Sequence, residues 1–98
     1  MTIDKVVNGE AFTIKIAGRI DTMTAPELEN EIVSIDESTK DLILDMTGVE
    51  YISSAGLRVL LAAQKKMGKV GSMRLTGVCD NVMEVLEMTG FADILVIE

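Results

Sequence analysis

Two adjacent serines stand between a buried strand and a helix. The apolar run Leu42–Met46 leads into a loop, and Ser53 and Ser54 then precede an amphipathic segment that opens with Gly56 and Leu57. A serine at the start of a helix is a preferred N-cap, because its hydroxyl accepts a hydrogen bond from a free backbone N–H. The same place suits a phosphoryl group, whose negative charge the helix dipole stabilises. From local rules alone, both interpretations of Ser54 stay open.

The composition excludes most hydrolytic chemistry. The 98 residues include no histidine, which removes the His-based nucleophile, the His general base and the His-ligated zinc site. The single cysteine, Cys79, can form neither an internal disulfide nor a Cys-rich metal site, so we expect a reducing compartment. The carboxylates Asp4, Asp36, Asp41 and Asp93 show no paired spacing for a metal ion or an acid–base pair. We therefore expect no metal, no cofactor and no enzymatic activity.

The charge balance narrows the class of partner. Nine Lys and Arg residues against sixteen Asp and Glu residues give a net charge of −7, which disfavours binding to nucleic acid or to anionic membranes. No apolar run approaches the roughly 18 residues of a membrane span, and the first residues lack the layout of a secretory signal. We expect a cytoplasmic chain that is not inserted in a membrane and whose partners are proteins or small molecules.

The apolar pattern predicts an α/β fold with one domain over residues 1–98. The expected order is β-β-α-β-α-β-α-β, which gives a mixed, mostly parallel sheet of about five strands with an N-terminal β-hairpin and three crossover helices. The hairpin turns at Asn8-Gly9, and the last strand is expected at Ile94–Ile97. The run Leu42–Met46 has the pattern of a central strand that helices bury on both faces.

The first helix is expected to begin with a capping box. Thr24 is followed three positions later by Glu27, so the threonine hydroxyl would bond to the backbone of the first turn and the glutamate would reach back. Leu28, Ile32 and Ile35 then recur at helical spacing and predict one buried stripe.

The chain resembles the STAS domain family, in particular its small bacterial anti-sigma factor antagonists. The family pattern is a strand ending in Asp, a turn, an apolar pair, and Asp/Ser-Ser/Thr-x-Gly-Leu at the start of a helix. Three segments carry the resemblance in family order: Gly18–Asp21 with Thr24, Asp45 with Ser53–Leu57, and Leu86–Phe91. Together they cover nearly the whole chain, and the resemblance implies the STAS fold.

The resemblance also implies a mechanism. In such antagonists the unphosphorylated form binds an anti-sigma factor that is also a serine kinase, and the sigma factor is released. The kinase phosphorylates one hydroxyl of the antagonist, which switches it off, and a phosphoserine phosphatase reverses the reaction. Alignment of the motif places that hydroxyl at Ser54. The chain would be the substrate of this chemistry and would hold no catalytic residue.

Other matched residues are expected at the partner interface. Asp21 aligns with an acidic residue near the phosphorylated serine and would orient the hydroxyl or shape the kinase contact. The interpretation of Asp21 as an ordinary loop aspartate has equal weight. Thr24, Gly56 and Arg58 are further expected contacts, with a solvated helix face as the alternative for Arg58. Ser53 and Ser54 complete the set.

Two alternatives stay open at the level of the sequence. Several family members have Asp where this chain has Ser53, which makes Ser53 the second choice for phosphorylation and keeps open an unphosphorylated STAS scaffold or regulatory module of a transporter or multiprotein complex. A small enzyme or nucleotide binder belongs to a different class, but the sequence supplies neither its base nor its phosphate loop.

Overall fold

A four-stranded mixed sheet forms the centre of the computed structural model, which describes residues 1–98. The strands and helices follow one another as β1 (Thr2–Asn8), β2 (Ala11–Ile20), α1 (Ala25–Val33), β3 (Asp41–Ile52), α2 (Ser54–Gly68), β4 (Ser72–Thr76), α3 (Asp80–Met88) and a 3-10 turn (Phe91–Asp93). The strands lie in the order β1-β2-β3-β4. This is the predicted α/β class with three helices.

The predicted hairpin at the start of the chain and the predicted central parallel strand are confirmed. β1 runs antiparallel to β2, and Asn8 pairs with Ala11 across a turn in which Gly9 has a φ of +63°. That angle lies in the left-handed region, which glycine adopts without a steric penalty. β3 pairs in parallel with both β2 and β4, so it is the central strand of the parallel part.

The helices cover one face of the sheet. Along β3 the buried residues Leu42, Leu44 and Met46 alternate with the partly exposed Ile43 and Asp45. The strand order advances steadily from β2 to β4, and right-handed crossovers then put all connecting helices on the same side. The prediction that helices bury β3 on both faces is therefore wrong, and its opposite face, hereafter the open face, carries no helix.

The predicted fifth strand is reduced to one bridge. Leu75 pairs with Ile97 through two backbone hydrogen bonds of 2.8 Å, donated by the N–H groups of Leu75 and Glu98 to the carbonyls of Val96 and Leu75. The segment just before it is helical, because Ile94 ends the 3-10 turn with φ −96° and ψ −37°. Too few extended residues remain after Ile94 to form a ladder, so the sheet has four strands rather than about five.

The end of α1 is capped by a lysine from α2. The Lys66 ammonium donates hydrogen bonds to the carbonyls of Ile32, Val33 and Ile35 at 2.8, 3.1 and 3.1 Å. These carbonyls belong to the last turn of α1 and the residues just after it, where the helix dipole favours a cation. α1 has no basic residue in its own last turn. The lysine therefore links the two helices on the covered face.

We expect Lys66→Met to lower the free energy of unfolding by about 1–2 kcal/mol, because the variant keeps an apolar stem but loses the charged donor. Urea unfolding measures the change. Lys65→Met is the matched control, since Lys65 is exposed on the same helix turn and makes no hydrogen bond. Equal destabilisation by the two substitutions would contradict the capping role.

Candidate functional site

The start of α2 lies directly against the ends of β2 and β3. The Ser53 N–H donates to the Ile20 carbonyl at 2.8 Å, and Ile20 itself pairs with Ile52 across the two strands. Gly56 is buried over this pair, and a Cβ atom on it would lie 2.7 Å from side-chain atoms of both isoleucines. Only a residue without a side chain permits this approach. The glycine of the motif thus fixes the height of the helix start above the sheet.

The two serines have different surroundings. Ser53 is the N-cap of α2, and its hydroxyl accepts a long hydrogen bond of 3.5 Å from the Gly56 N–H. Ser54 is the first residue of the helix, is exposed, and makes no side-chain hydrogen bond within the chain. The structure therefore makes Ser53, and not Ser54, the N-cap, and places Ser54 at the first helical position. The free hydroxyl is that of Ser54.

The loop after β2 is ordered by Asp21. Its carboxylate accepts hydrogen bonds from the Met23 N–H at 3.0 Å and from the Thr24 N–H at 3.1 Å. Its backbone carbonyl accepts from the Ala25 N–H at 2.8 Å, which starts α1. The carboxylate therefore holds the loop through its Oδ1 atom, and it makes no hydrogen bond to Ser54.

Thr24 stabilises the same loop rather than the helix. It occupies the N-cap position of α1 but makes no capping hydrogen bond with its side chain. Its hydroxyl donates to the Arg19 carbonyl at 2.8 Å and accepts from the Asp21 N–H at 2.9 Å. The predicted capping box with Glu27 is therefore wrong, because the end of β2 offers the hydroxyl better-placed partners. Thr24 joins the loop to the strand.

The surroundings of Asp21 change its acidity. Partial desolvation raises the pKa of this carboxyl, but the hydrogen bonds from Thr24 and Met23, helped by the Arg19 charge, outweigh desolvation and hold the pKa below the ordinary 3.8. The Arg19 guanidinium lies 3.9 Å from the carboxylate. Asp21 is therefore charged at neutral pH.

Three further side chains border the site and were not singled out from the sequence. Arg19 stacks over the ring of Tyr51, 4.2 Å from its centroid, and the two residues pair across β2 and β3. Met23 projects from the loop that Asp21 holds. Tyr51 is exposed beside buried Ile52, but this alternation appears only in the structure, where β3 continues past the predicted run Leu42–Met46 to Ile52. No sequence signal distinguishes Met23 from a core methionine.

The structure brings the predicted residues to one edge of the sheet. Asp21 and Thr24 lie in the loop after β2, and Ser53, Ser54 and Gly56 lie at the start of α2 beside it. Arg58 follows Ser54 by four residues, is exposed, and forms no ion pair in the chain. Residues four apart are neighbours on a helix surface, so a cation lies one turn from the free hydroxyl.

The rest of the surface offers little competing chemistry. No group of three or more Cys, Asp or Glu residues converges in a way that could hold a metal ion. None of the helices is long and apolar enough to cross a membrane. The exposed serine at the start of α2 is the feature with the clearest chemical use.

The chain is a small α/β domain of a defined class. Crossover helices cover one face of its mixed sheet, and the second helix presents a hydroxyl at its start. The STAS domain family model matches residues 2–98, so the chain belongs to the STAS domain family.

Individual relatives share the whole fold. The anti-sigma-B factor antagonist of Bacillus subtilis is 31% identical over 96 residues, which cover 97% of this chain and 88% of the relative. The crystal structure of an anti-sigma factor antagonist from Mycobacterium paratuberculosis has a TM-score of 0.87 at 26% identity, and covers 98% of this chain and 83% of its own. A sulfate transporter family protein from Wolinella succinogenes has a TM-score of 0.80 at 30% identity, over 95% and 80% of the two chains.

We expect Gly56→Ala to destabilise the chain by about 1–3 kcal/mol, because the new methyl group must displace both Ile20 and Ile52. The free energy of unfolding in urea measures the loss. Gly68→Ala is the control on the same helix: nothing lies within 4 Å of its Cβ position, so replacing a helical glycine should stabilise by up to about 1 kcal/mol. Destabilisation by both substitutions would contradict a specific contact at Gly56.

We expect Asp21 to make stability depend on acid pH. Because its folded pKa lies below the ordinary 3.8, its charged form stabilises the fold fully above that pH, and the contribution is lost as the pH falls through the folded value. Wild type should therefore exceed Asp21→Asn in stability at pH 6 by more than at pH 2.5. Glu29→Gln, at an exposed position of α1, controls for the loss of one charge. A difference between wild type and Asp21→Asn that stays constant across this range would overturn the assignment.

Proposed function

We propose that this chain is an anti-sigma factor antagonist whose binding is switched by phosphorylation of Ser54. The unphosphorylated form binds an anti-sigma factor with serine kinase activity and so frees the sigma factor. Phosphorylation of Ser54 ends the binding, and a phosphoserine phosphatase restores it. The proposed partner implies the cytoplasm, because sigma factors act on RNA polymerase there. Family membership and the antagonist names of two relatives support this function.

One observation carries the choice of residue. The Ser54 hydroxyl is exposed and unbonded at the first residue of α2, whereas the Ser53 hydroxyl is already used as the cap. A kinase needs an accessible hydroxyl. Ser53 is half-buried and its hydroxyl already accepts a hydrogen bond from the Gly56 N–H, so a kinase would have to displace that contact first. The exposed Ser54 hydroxyl can accept the phosphoryl group without that step.

The position also allows the phosphorylated chain to stay folded. A phosphoserine carries about −1.5 to −2 charges at neutral pH, and at the first turn of a helix it faces free N–H groups and the positive end of the dipole. Arg58, one turn further on, supplies a nearby cation. The switch would therefore act through charge at the interface rather than through unfolding. With screening, that charge reaches about 8 Å, which confines the effect to groups touching this edge.

Asp21, Thr24 and Gly56 support this function indirectly. Asp21 and Thr24 fix the loop beside Ser54 through their hydrogen bonds, and Gly56 sets the helix start. In the proposed complex these residues keep a rigid surface around the hydroxyl. Rigid surfaces lose less entropy on binding, which favours affinity.

A second candidate is a STAS module that regulates a transporter and is never phosphorylated. The similarity to the sulfate transporter family protein favours it. A shared fold alone does not separate the two functions. The fate of Ser54 in the presence of a kinase does.

We expect the cognate anti-sigma kinase and ATP to add one phosphate, on Ser54. Mass spectrometry of peptides from the reaction locates it. Ser54→Ala should remain unlabelled, and Ser53→Ala should still be labelled on Ser54 although it loses its cap. Label on Ser53 alone would overturn the assignment to Ser54. No label, from a kinase that is active on another substrate, would overturn the phosphorylation and favour the transporter module.

We also expect the charge at position 54 to control binding. Ser54→Ala should bind the anti-sigma factor as wild type does but escape regulation, because only the acceptor oxygen is removed. Ser54→Asp should bind at least about tenfold more weakly if added negative charge dissociates the pair, a change of about 1.4 kcal/mol. Calorimetric titration measures both. The account fails if Ser54→Asp binds as tightly as Ser54→Ala.

A further inference from the structure

Met23 is an apolar side chain held out in water. It is 87% exposed, the largest exposure among the large hydrophobic residues of the chain. Its loop is nevertheless well ordered, because the Asp21 carboxylate accepts hydrogen bonds from the Met23 and Thr24 N–H groups and the Thr24 hydroxyl donates to the end of β2. The fold thus orders this segment without burying its apolar side chain. Such an arrangement makes sense where another molecule buries it.

Tyr51 and Arg19 form a second exposed pair next to this loop. Tyr51 is 40% exposed, and the Arg19 guanidinium lies 4.2 Å from its ring centroid. The same guanidinium is 3.9 Å from the Asp21 carboxylate. The tyrosine and arginine are therefore arranged before any partner arrives. Both project from the open face, since their neighbours Ile20 and Ile52 are buried on the covered face.

The loop and the pair are continuous with the proposed switch. The hydrogen bond from the Ser53 N–H to the Ile20 carbonyl joins the end of β2 to the start of α2 at 2.8 Å. Met23 follows Ile20 by three residues, and Tyr51 precedes Ser54 by three. One partner that covers Ser54 at the edge of the sheet would meet Met23 and the Arg19–Tyr51 pair along the same edge.

We propose that Arg19, Met23 and Tyr51 form an anchor patch for the anti-sigma factor, separate from the Ser54 switch; this rests on the proposed function. Tyrosine, arginine and methionine are enriched in the buried centre of protein interfaces, and tyrosine and arginine are frequent hot spots there. The partner surface that fits is an apolar pocket for the Met23 thioether, bordered by an acidic group that faces the guanidinium. Contacts at the anchor patch supply the binding affinity, and the charge of a phosphate on Ser54 abolishes that affinity.

The chain contains a matched control for this proposal. Met88, at the end of α3, is 79% exposed and so resembles Met23 in type and exposure, but it lies outside the edge that carries Ser54. We expect Met23→Ala and Tyr51→Ala each to weaken binding to the purified cognate anti-sigma factor by about tenfold. Met88→Ala should bind within twofold of wild type, and Tyr51→Phe, which keeps the ring, should retain most of the affinity.

Calorimetric titration of the unphosphorylated chain with the anti-sigma factor gives these dissociation constants, and urea unfolding midpoints identify any variant that is not folded. Because Met23 is almost fully exposed, its truncation tests the patch even if Tyr51→Ala proves unstable. Wild-type affinity in Met23→Ala, or an equal loss in Met88→Ala, would overturn the patch and leave the proposed function standing. Failure of wild type itself to bind would overturn both.

Discussion

The contact between the start of α2 and the paired ends of β2 and β3 determines the rest of the site. It is made by a glycine where any side chain would collide with Ile20 and Ile52, and by one backbone hydrogen bond from Ser53 to Ile20. These two features set where the helix begins and in which direction its first residues point. Ser54 is presented to solvent because Ser53 has already taken the cap. A looser helix start would let the two hydroxyls exchange roles.

In the proposed function, this division between the serines lets a small acidic chain act as a switch that another protein operates. The chain has no histidine and a net charge of −7, and the chemistry proposed for it is a hydroxyl that a kinase would modify. A phosphate at the first turn of a helix is compatible with the folded state, so we propose that its effect falls on the partner. In the same proposal, the exposed Met23 and the Arg19–Tyr51 pair contact that partner when the phosphate is absent.

The periodic parts of the fold could be predicted from the sequence, and the tertiary exceptions could not. The hairpin at Gly9, the central strand and the apolar stripe of α1 follow from local patterns, and Leu28, Ile32 and Ile35 are indeed buried. The prediction of the last strand is wrong because a 3-10 turn extends to the first residue of the predicted strand. An alternation of apolar residues does not indicate such a turn. The prediction that helices bury β3 on both faces is wrong because strand order, rather than composition, decides on which face the helices lie.

The site shows the same division. The motif predicts Ser54, Gly56 and Asp21 as site residues. The use of the Thr24 hydroxyl depends instead on the position of the Arg19 carbonyl, five residues away along the chain. Met23 and Tyr51 were overlooked because exposure of an apolar residue depends on loop conformation and strand register, which one sequence does not reveal. Both residues lie near Ser54 because β2 pairs with β3, and this proximity is a property of the tertiary structure.

In the proposed function, the charge at position 54 decides whether the chain binds the anti-sigma factor. The most direct test is to produce the chain with phosphoserine incorporated at position 54 and to compare its dissociation constant for the anti-sigma factor with that of the unmodified chain. We expect the phosphorylated chain to bind at least about tenfold more weakly while its circular dichroism spectrum shows an unchanged fold. Equal affinities of the two folded proteins would exclude control of binding by this charge.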